Sequence, residues 1–276
     1  MIKKNDKVSI KIILIIICLI IIYLNNQKYN KNEYFFTKRK NKDIIKFKYN
    51  NDILLWSRIK EAPIDWISRS WEKGEFYEYI LLSKIKDLNL FGTYVDLGAH
   101  MGNHSIFFSK YCSSIKVISI EGNLHNFKYL KKNINLNKCN NIFPVNKIID
   151  TENNKELYMK YNKTNTGSST VIGNKVDKET IKDTEFILKN KTITLDKLLM
   201  NEKNISLIKI DIENYEYNAL YGSIGIIKKH KPVIVIELHK SNPHYEKIKV
   251  FLKKMNYISD NKNYANSPTF IYKFLK

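Results

Sequence analysis

Four short apolar runs in this chain each lead into an acid. Tyr94-Val95 leads into Asp96-Leu97-Gly98, Val117-Ile118-Ser119-Ile120 into Glu121, Leu207-Ile208-Lys209-Ile210 into Asp211, and Val233-Ile234-Val235-Ile236 into Glu237. Runs like these read as buried strands, and a carboxylate at each tip is tolerable only if it meets water, a ligand or a metal. Strands are expected over 93–97, 116–120, 142–146, 206–211, 233–238 and 269–274, with helices over 103–111, 123–135, 216–228 and 244–255. Tyr79, Leu82, Ile85 and Leu88 add a further helical stripe. This alternation predicts an α/β fold, a doubly wound and mainly parallel sheet with the acids along its carboxyl edge, where open sheets bind ligands.

The turn after the first run narrows the ligand. Gly98 and Gly102 let backbone close tightly, with Ala99-His100-Met101 between them and Asn103 opening the next helix. A nicotinamide dinucleotide site wants G-x-G-x-x-G and an acid about 20 residues further on. Here Ser105 follows Gly102, so no second and third glycine stand at that spacing. S-adenosylmethionine has no phosphate but has an amino-acid head and a ribose. Asp96 and the loop amides suit the head, and Glu121 suits the ribose hydroxyls. The expected cofactor contacts are Asp96, Gly98, Ala99, His100, Gly102, Asn103 and Glu121.

With 276 residues, 43% of them hydrophobic, the chain can bury one substantial core plus an appendage. The net charge of +20 invites a nucleic-acid partner. Nearly all of that charge is lysine among abundant Asn and Ile, with Arg39, Arg58 and Arg69 as the arginines, so nucleic acid is not the expected partner. The 17 residues from Val8 to Leu24 are almost wholly aliphatic, long enough to reach across a bilayer with Lys11 snorkelling. No small-x-small cleavage site follows, which favours a single-pass signal anchor. Lysines flank both ends, so orientation stays open, with a lumenal catalytic domain as the working expectation. The expected layout is an anchor over 1–24, a Lys/Asn-rich stalk over 25–52 and a catalytic domain over 53–276. Within that domain, 53–76 is a candidate lid carrying Trp56, Trp66 and Trp71, and 150–190 a polar insertion. Cys112 and Cys139 fall at one sheet edge, where either a disulfide or two free thiols fit.

Two side-chain pairs remain, the acids Asp211-x-Glu213 and the acid and imidazole Glu237-x-His239. The chain resembles the FkbM family of methyltransferases through five pieces in order. These are Val95 to Gly102, Glu121, Thr192-Ile193-Thr194-Leu195-Asp196, Lys209-Ile210-Asp211-Ile212-Glu213-Asn214-Tyr215-Glu216, and Pro232 to Glu237 with His239. The resemblance implies a class I methyltransferase fold, S-adenosylmethionine as donor, and O-methylation of a hydroxyl on a sugar, glycan or small metabolite. His100 stands where the family usually has Asn, and Asn214 where Gly usually follows D-x-E; Asn tolerates a left-handed turn.

An alcohol acceptor must lose its proton during transfer, so a base near the methyl group helps. Asp211 is the first candidate, with Glu213, Glu237 and His239 as alternatives or orienters. Glu213 and Glu216 also read as caps of the helix after Tyr215. The same acids and imidazole are compatible with a divalent ion, which is not favoured, and no metal ligands are assigned. His104 is placed near the cofactor, and His125, His230 and His244 at the surface or in turns. Two other classes stay open: a membrane-tethered binding module without catalysis, and an RNA methyltransferase. The sequons at Asn162 and Asn190 would carry glycan if the domain is lumenal.

Overall fold

The computed structural model describes residues 44–59, 65–162, 165–177, 181–182 and 185–275. The Val8–Leu24 run and residues 25–43 of the expected stalk lie outside them. Among the described residues, no helix is long and apolar enough to cross a membrane.

The chain is mixed α/β around a mostly parallel central sheet. Its strands are β3 (Gly92–Leu97), β4 (Ser114–Ile120), β5 (Ile142–Val145), β10 (Ile205–Ile210), β11 (Val233–Glu237), β12 (Tyr257–Ser259) and β13 (Thr269–Phe274). They lie in the order β12-β13-β11-β10-β3-β4-β5. The five from β11 to β5 run parallel, while β13 is antiparallel to β11 and β12 to β13. The order reverses between β10 and β3, which opens a crevice at their carboxyl ends.

Period-two alternation gives each face of the sheet its own core. Tyr94, Val117, Leu207 and Val235 pack on one side with Phe107, Phe108 and Leu130 from α3 (Asn103–Tyr111) and α4 (Leu124–Leu136). Val95, Ile118, Ile208 and Ile234 pack on the other with Leu220, Ile227 and Leu252 from α6 (Glu216–Tyr221), α7 (Ile224–His230) and α8 (Tyr245–Lys254). The helix expected over 216–228 is therefore two, α6 and α7. The break falls at Gly222, where a Cβ would stand 2.1 Å from the Asp150 carbonyl oxygen.

The expected stalk and lid need correction. β1 (Ile44–Tyr49) and β2 (Asp52–Ser57) form a hairpin that straddles the expected boundary between stalk and domain, with Phe47 and Tyr49 buried and Lys46 and Lys48 exposed. Asn133 of α4 and Asn137 at its C-terminal cap dock it. Asn137 accepts from the Leu55 amide at 3.0 Å and donates to its carbonyl at 2.6 Å; Asn133 does the same to Ser57 at 2.6 and 3.1 Å. Trp56 and Trp71 are fully buried and stack at 4.7 Å, so they belong to the core rather than to a free lid. Trp66, on α1 (Trp66–Glu72), is exposed. The short helix α2 (Tyr79–Asp87) carries the stripe of Leu81, Leu82 and Ile85 into the same core.

The polar insertion is a second sheet, β6 (Ile148–Ile149), β7 (Glu156–Asn162), β8 (Asn165–Gly173) and β9 (Glu185–Ile193), ordered β6-β9-β7-β8. The one-turn α5 (Leu195–Leu198) returns the chain to β10. Ser169 and Asn190 clasp this sheet to the loop after β4, accepting from Asn123 at 2.9 Å and donating to the Gly122 carbonyl at 2.8 Å. Cys112 and Cys139 are both free thiols.

Candidate active site

A cleft of about 1240 Å³, counting its open mouth, lies at the carboxyl edge of the central sheet. Gly98, His100, Glu121, Asp211, Glu213 and Glu237 line it, together with Glu78 and Tyr77 from the start of α2. The insertion sheet supplies another wall through Ile149, Met159, Ser168 and Val171.

The Gly98–Gly102 turn is fixed by its own backbone. Gly98 has φ of 78°, and a Cβ there would stand 1.8 Å from the Asp211 carbonyl oxygen. The amides of Gly98 and Ala99 both donate to the Ile120 carbonyl at 3.0 Å, that of Gly102 to Ala99 at 2.8 Å, and that of His100 to Glu121 at 2.8 Å. His100 is left-handed, φ 50°, a conformation that Asn takes more readily. These four amides are each paired within the protein.

Asp96 also needs correcting. It is fully buried and absent from the cleft wall. Its carboxylate accepts from Ser105 at 2.6 Å, and Lys209 Nζ stands 3.3 Å away. The cause is register: β3 and β10 set Asp96 directly opposite Lys209, on the face that α3 covers. Lys209 is itself buried and reaches Asp211 at 3.2 Å and the Gly98 carbonyl at 3.1 Å. Burial alone would lower its pKa, but Asp211 and Asp96 raise it above the ordinary lysine value. Ala99 is likewise buried outside the wall. Asn103 spends its side chain on Trp71 Nε1 (2.8 Å) and on the amide and carbonyl of Tyr77 (3.2 and 3.0 Å). Gly102, φ 102°, packs where a Cβ would meet Leu130 at 2.9 Å.

Glu121 does face the cleft. One carboxylate oxygen accepts from His100 and the other from the Asn123 amide, each at 2.8 Å, which leaves lone pairs directed outward. Burial pushes its pKa up to about 7 against the pull of these two amides.

Asp211, Glu213 and Glu237 come together although β10 ends at Ile210, before its alternation can carry Glu213. Glu213 and Asn214 are left-handed, φ 53° and 70°, and this turn swings Glu213 back to the wall. Glu216 holds the turn closed, accepting from the amides of Ile212 (3.3 Å) and Asn214 (3.1 Å) and from Asn242 at 2.7 Å. Its role is structural. Burial raises Asp211, yet Lys209 beside it holds the carboxyl below the usual value. Burial and the Asp211 charge push Glu237 up to about 8, and the same two causes bring Glu213 to about 7. Asp211 is therefore the more acidic member of the pair and Glu237 the one that holds a proton more readily. His239 sits outside the wall, half-exposed, 3.4 Å from Glu237, because β11 stops at Glu237 and the chain turns away. Among the described residues, no three His, Cys, Asp or Glu side chains are grouped to hold a metal ion.

Two functional candidates escaped the sequence. Lys209 left a signal, a lone lysine inside an otherwise apolar run. Glu78 left none, because its place depends on the packing of α2.

A family model described as "Methyltransferase FkbM domain" matches residues 96–259. The chain belongs to this family. This FkbM domain is also 27% identical over 168 residues, 59% of its length, to an M. jannaschii protein named tRNA(Phe) (4-demethylwyosine(37)-C(7)) aminocarboxypropyltransferase, of which it spans 63%. Among solved structures, it matches an FkbM methyltransferase from Methylobacillus flagellatus KT at 19% identity and TM-score 0.45, over 67% of this chain and 44% of the other. It also matches M. jannaschii TYW2 in complex with AdoMet at 14% identity and TM-score 0.39, over 86% and 89% of the two chains.

Proposed function

We propose that this FkbM domain is an S-adenosylmethionine-dependent methyltransferase acting on a hydroxyl of a sugar, glycan or small metabolite. The observation that carries the reading is the cleft at the β3/β10 switch point, where Gly98, Glu121 and the Asp211–Glu237 pair face one space. The residues fit the cofactor: Glu121 offers outward lone pairs to a ribose, Ile149, Met159 and Val171 an apolar wall to a base, and the carboxylates a counter-charge to a cation. When bound, the cofactor supplies an electrophilic methyl group. Asp211 takes the acceptor's proton, and Lys209 keeps Asp211 ionised. Glu237, being neutral, orients the acceptor oxygen by donating to it or to Asp211. Most of the rate comes from holding the acceptor in line, since displacement at a methyl carbon depends on alignment.

The acidity of the cleft supports a neutral acceptor over a phosphate group. A second reading, RNA as acceptor, is favoured by the tRNA-directed name of the 27% identical relative and by the net charge of +20. That relative's name also admits transfer of an aminocarboxypropyl group in place of methyl. We retain Val8–Leu24 as a proposed single-pass membrane anchor, with the domain on the lumenal side.

Transfer of labelled methyl from S-adenosylmethionine to a panel of glycans and sugars, beside total tRNA, separates the readings. Label in a hydroxyl acceptor that falls about 100-fold or more in Asp211→Asn supports the first. Label in tRNA alone transfers the assignment to RNA.

A further inference from the structure

We propose that Glu78 is the ligand of the cofactor's α-ammonium group, with His104 as its positioning residue. The inference rests on the S-adenosylmethionine reading and names a contact within that site. An ammonium head needs a carboxylate that can reach it. Asp96 is sealed between Ser105 and Lys209, and Asp211 is held by Lys209 and Glu237. Glu121 belongs to the ribose end, at the tip of β4.

Glu78 differs from all of these. It occupies the N-cap position of α2, yet its side chain makes no capping hydrogen bond. Its backbone is left-handed, φ 56° and ψ 40°, where an N-cap is ordinarily extended. Strain of that kind at a non-glycine residue persists only where surrounding structure imposes it, and it concentrates at ligand sites. Here it turns the carboxylate into the cleft wall, with 5% of the side chain exposed. Behind it, His104 Nε2 stands 3.3 Å from Glu78 Oε2 and is 8% exposed. His104 is the second residue of α3, so the helix that follows the Gly98–Gly102 turn sets the imidazole against the carboxylate at ion-pair distance, without a hydrogen bond between them.

Sheet order supplies the orientation. β4 flanks β3 on one side and β10 on the other. A nucleoside with its ribose on Glu121 must extend its head across the Gly98 turn towards β10. Glu78 and Asp211 line the same cleft there.

The test is equilibrium binding of S-adenosylhomocysteine and of 5′-methylthioadenosine, which lacks the amino-acid head, to the full-length chain and to Glu78→Gln and His104→Gln. Loss of one charge-assisted contact should weaken S-adenosylhomocysteine by roughly 10- to 100-fold in Glu78→Gln and less in His104→Gln, with methylthioadenosine unchanged in both. Unchanged S-adenosylhomocysteine affinity in Glu78→Gln would overturn the assignment alone. Equal loss of both ligands would also overturn it, as a purely structural role. Failure of the wild-type chain to bind either ligand would overturn the cofactor reading and this contact with it.

Discussion

Lys209 is the residue on which the carboxyl edge depends. It is a buried cation with Asp96 on one side, Asp211 on the other and the Gly98 carbonyl above. Removing it strands two carboxylates, one of them fully enclosed. Lys209→Met should therefore destabilise the fold by about 3–5 kcal/mol, the usual cost of breaking a buried pair from one side, as read from urea unfolding. A loss near zero would show that solvent reaches the pair. Gly98 is equally constrained: a Cβ would overlap the Asp211 carbonyl, and φ is positive. Gly98→Ala should cost on the order of 3 kcal/mol or more and abolish cofactor binding. The motif Val95 to Gly102 was legible in the sequence because glycines and a strand-end acid leave a mark. The role of its acid was not legible, because only strand register reveals that Asp96 faces Lys209 and not the cleft.

Elements show the same division. Alternating strands and helices of the central sheet from Thr93 onward follow the apolar periodicity, since its inner strands β3, β10 and β11 are largely buried on both faces and the helices on one. The β1–β2 hairpin was hidden because Lys and Asn dominate its neighbourhood and mask the short apolar alternation of Phe47, Tyr49, Leu54 and Trp56, which asparagine amides supplement in docking it. Asn133→Ala should expose this dependence. It leaves the Ser57 amide and carbonyl and the Met101 carbonyl without their bonds, at a cost of roughly 2–4 kcal/mol in thermal or urea unfolding. A change below about 0.5 kcal/mol, typical of a surface substitution, would contradict the docking role. The turn at Glu213-Asn214 was partly legible. Asn214 advertised a left-handed residue, whereas the left-handed Glu213 that brings its carboxylate to the wall did not.

At the scale of the whole molecule, a basic chain encloses an acidic cleft. Glu121, Glu213 and Glu216 are raised from 4.5 to about 7 and Glu237 to about 8, chiefly by burial. A carboxyl whose folded pKa is raised binds its proton more tightly in the native state. Its contribution to stability is complete below the unfolded value and is lost as pH rises through the folded one. The ligand-free protein should thus lose melting temperature between about pH 5 and 8, and Glu237→Gln should flatten that slope. Asp211 works in the opposite sense and matters only in acid, below its unfolded value. A cation entering the cleft favours the ionised carboxyls, so its binding releases protons and tightens over the same interval.

Calorimetric titration of S-adenosylmethionine into the full-length chain at pH 6 and pH 8, in buffers of different ionisation enthalpy, tests the central claim most directly. The account predicts one site, tighter at pH 8, with protons released on binding and with affinity lost in Glu121→Ala. A folded chain that binds no S-adenosylmethionine at either pH, or binds it equally well without Glu121, would contradict it.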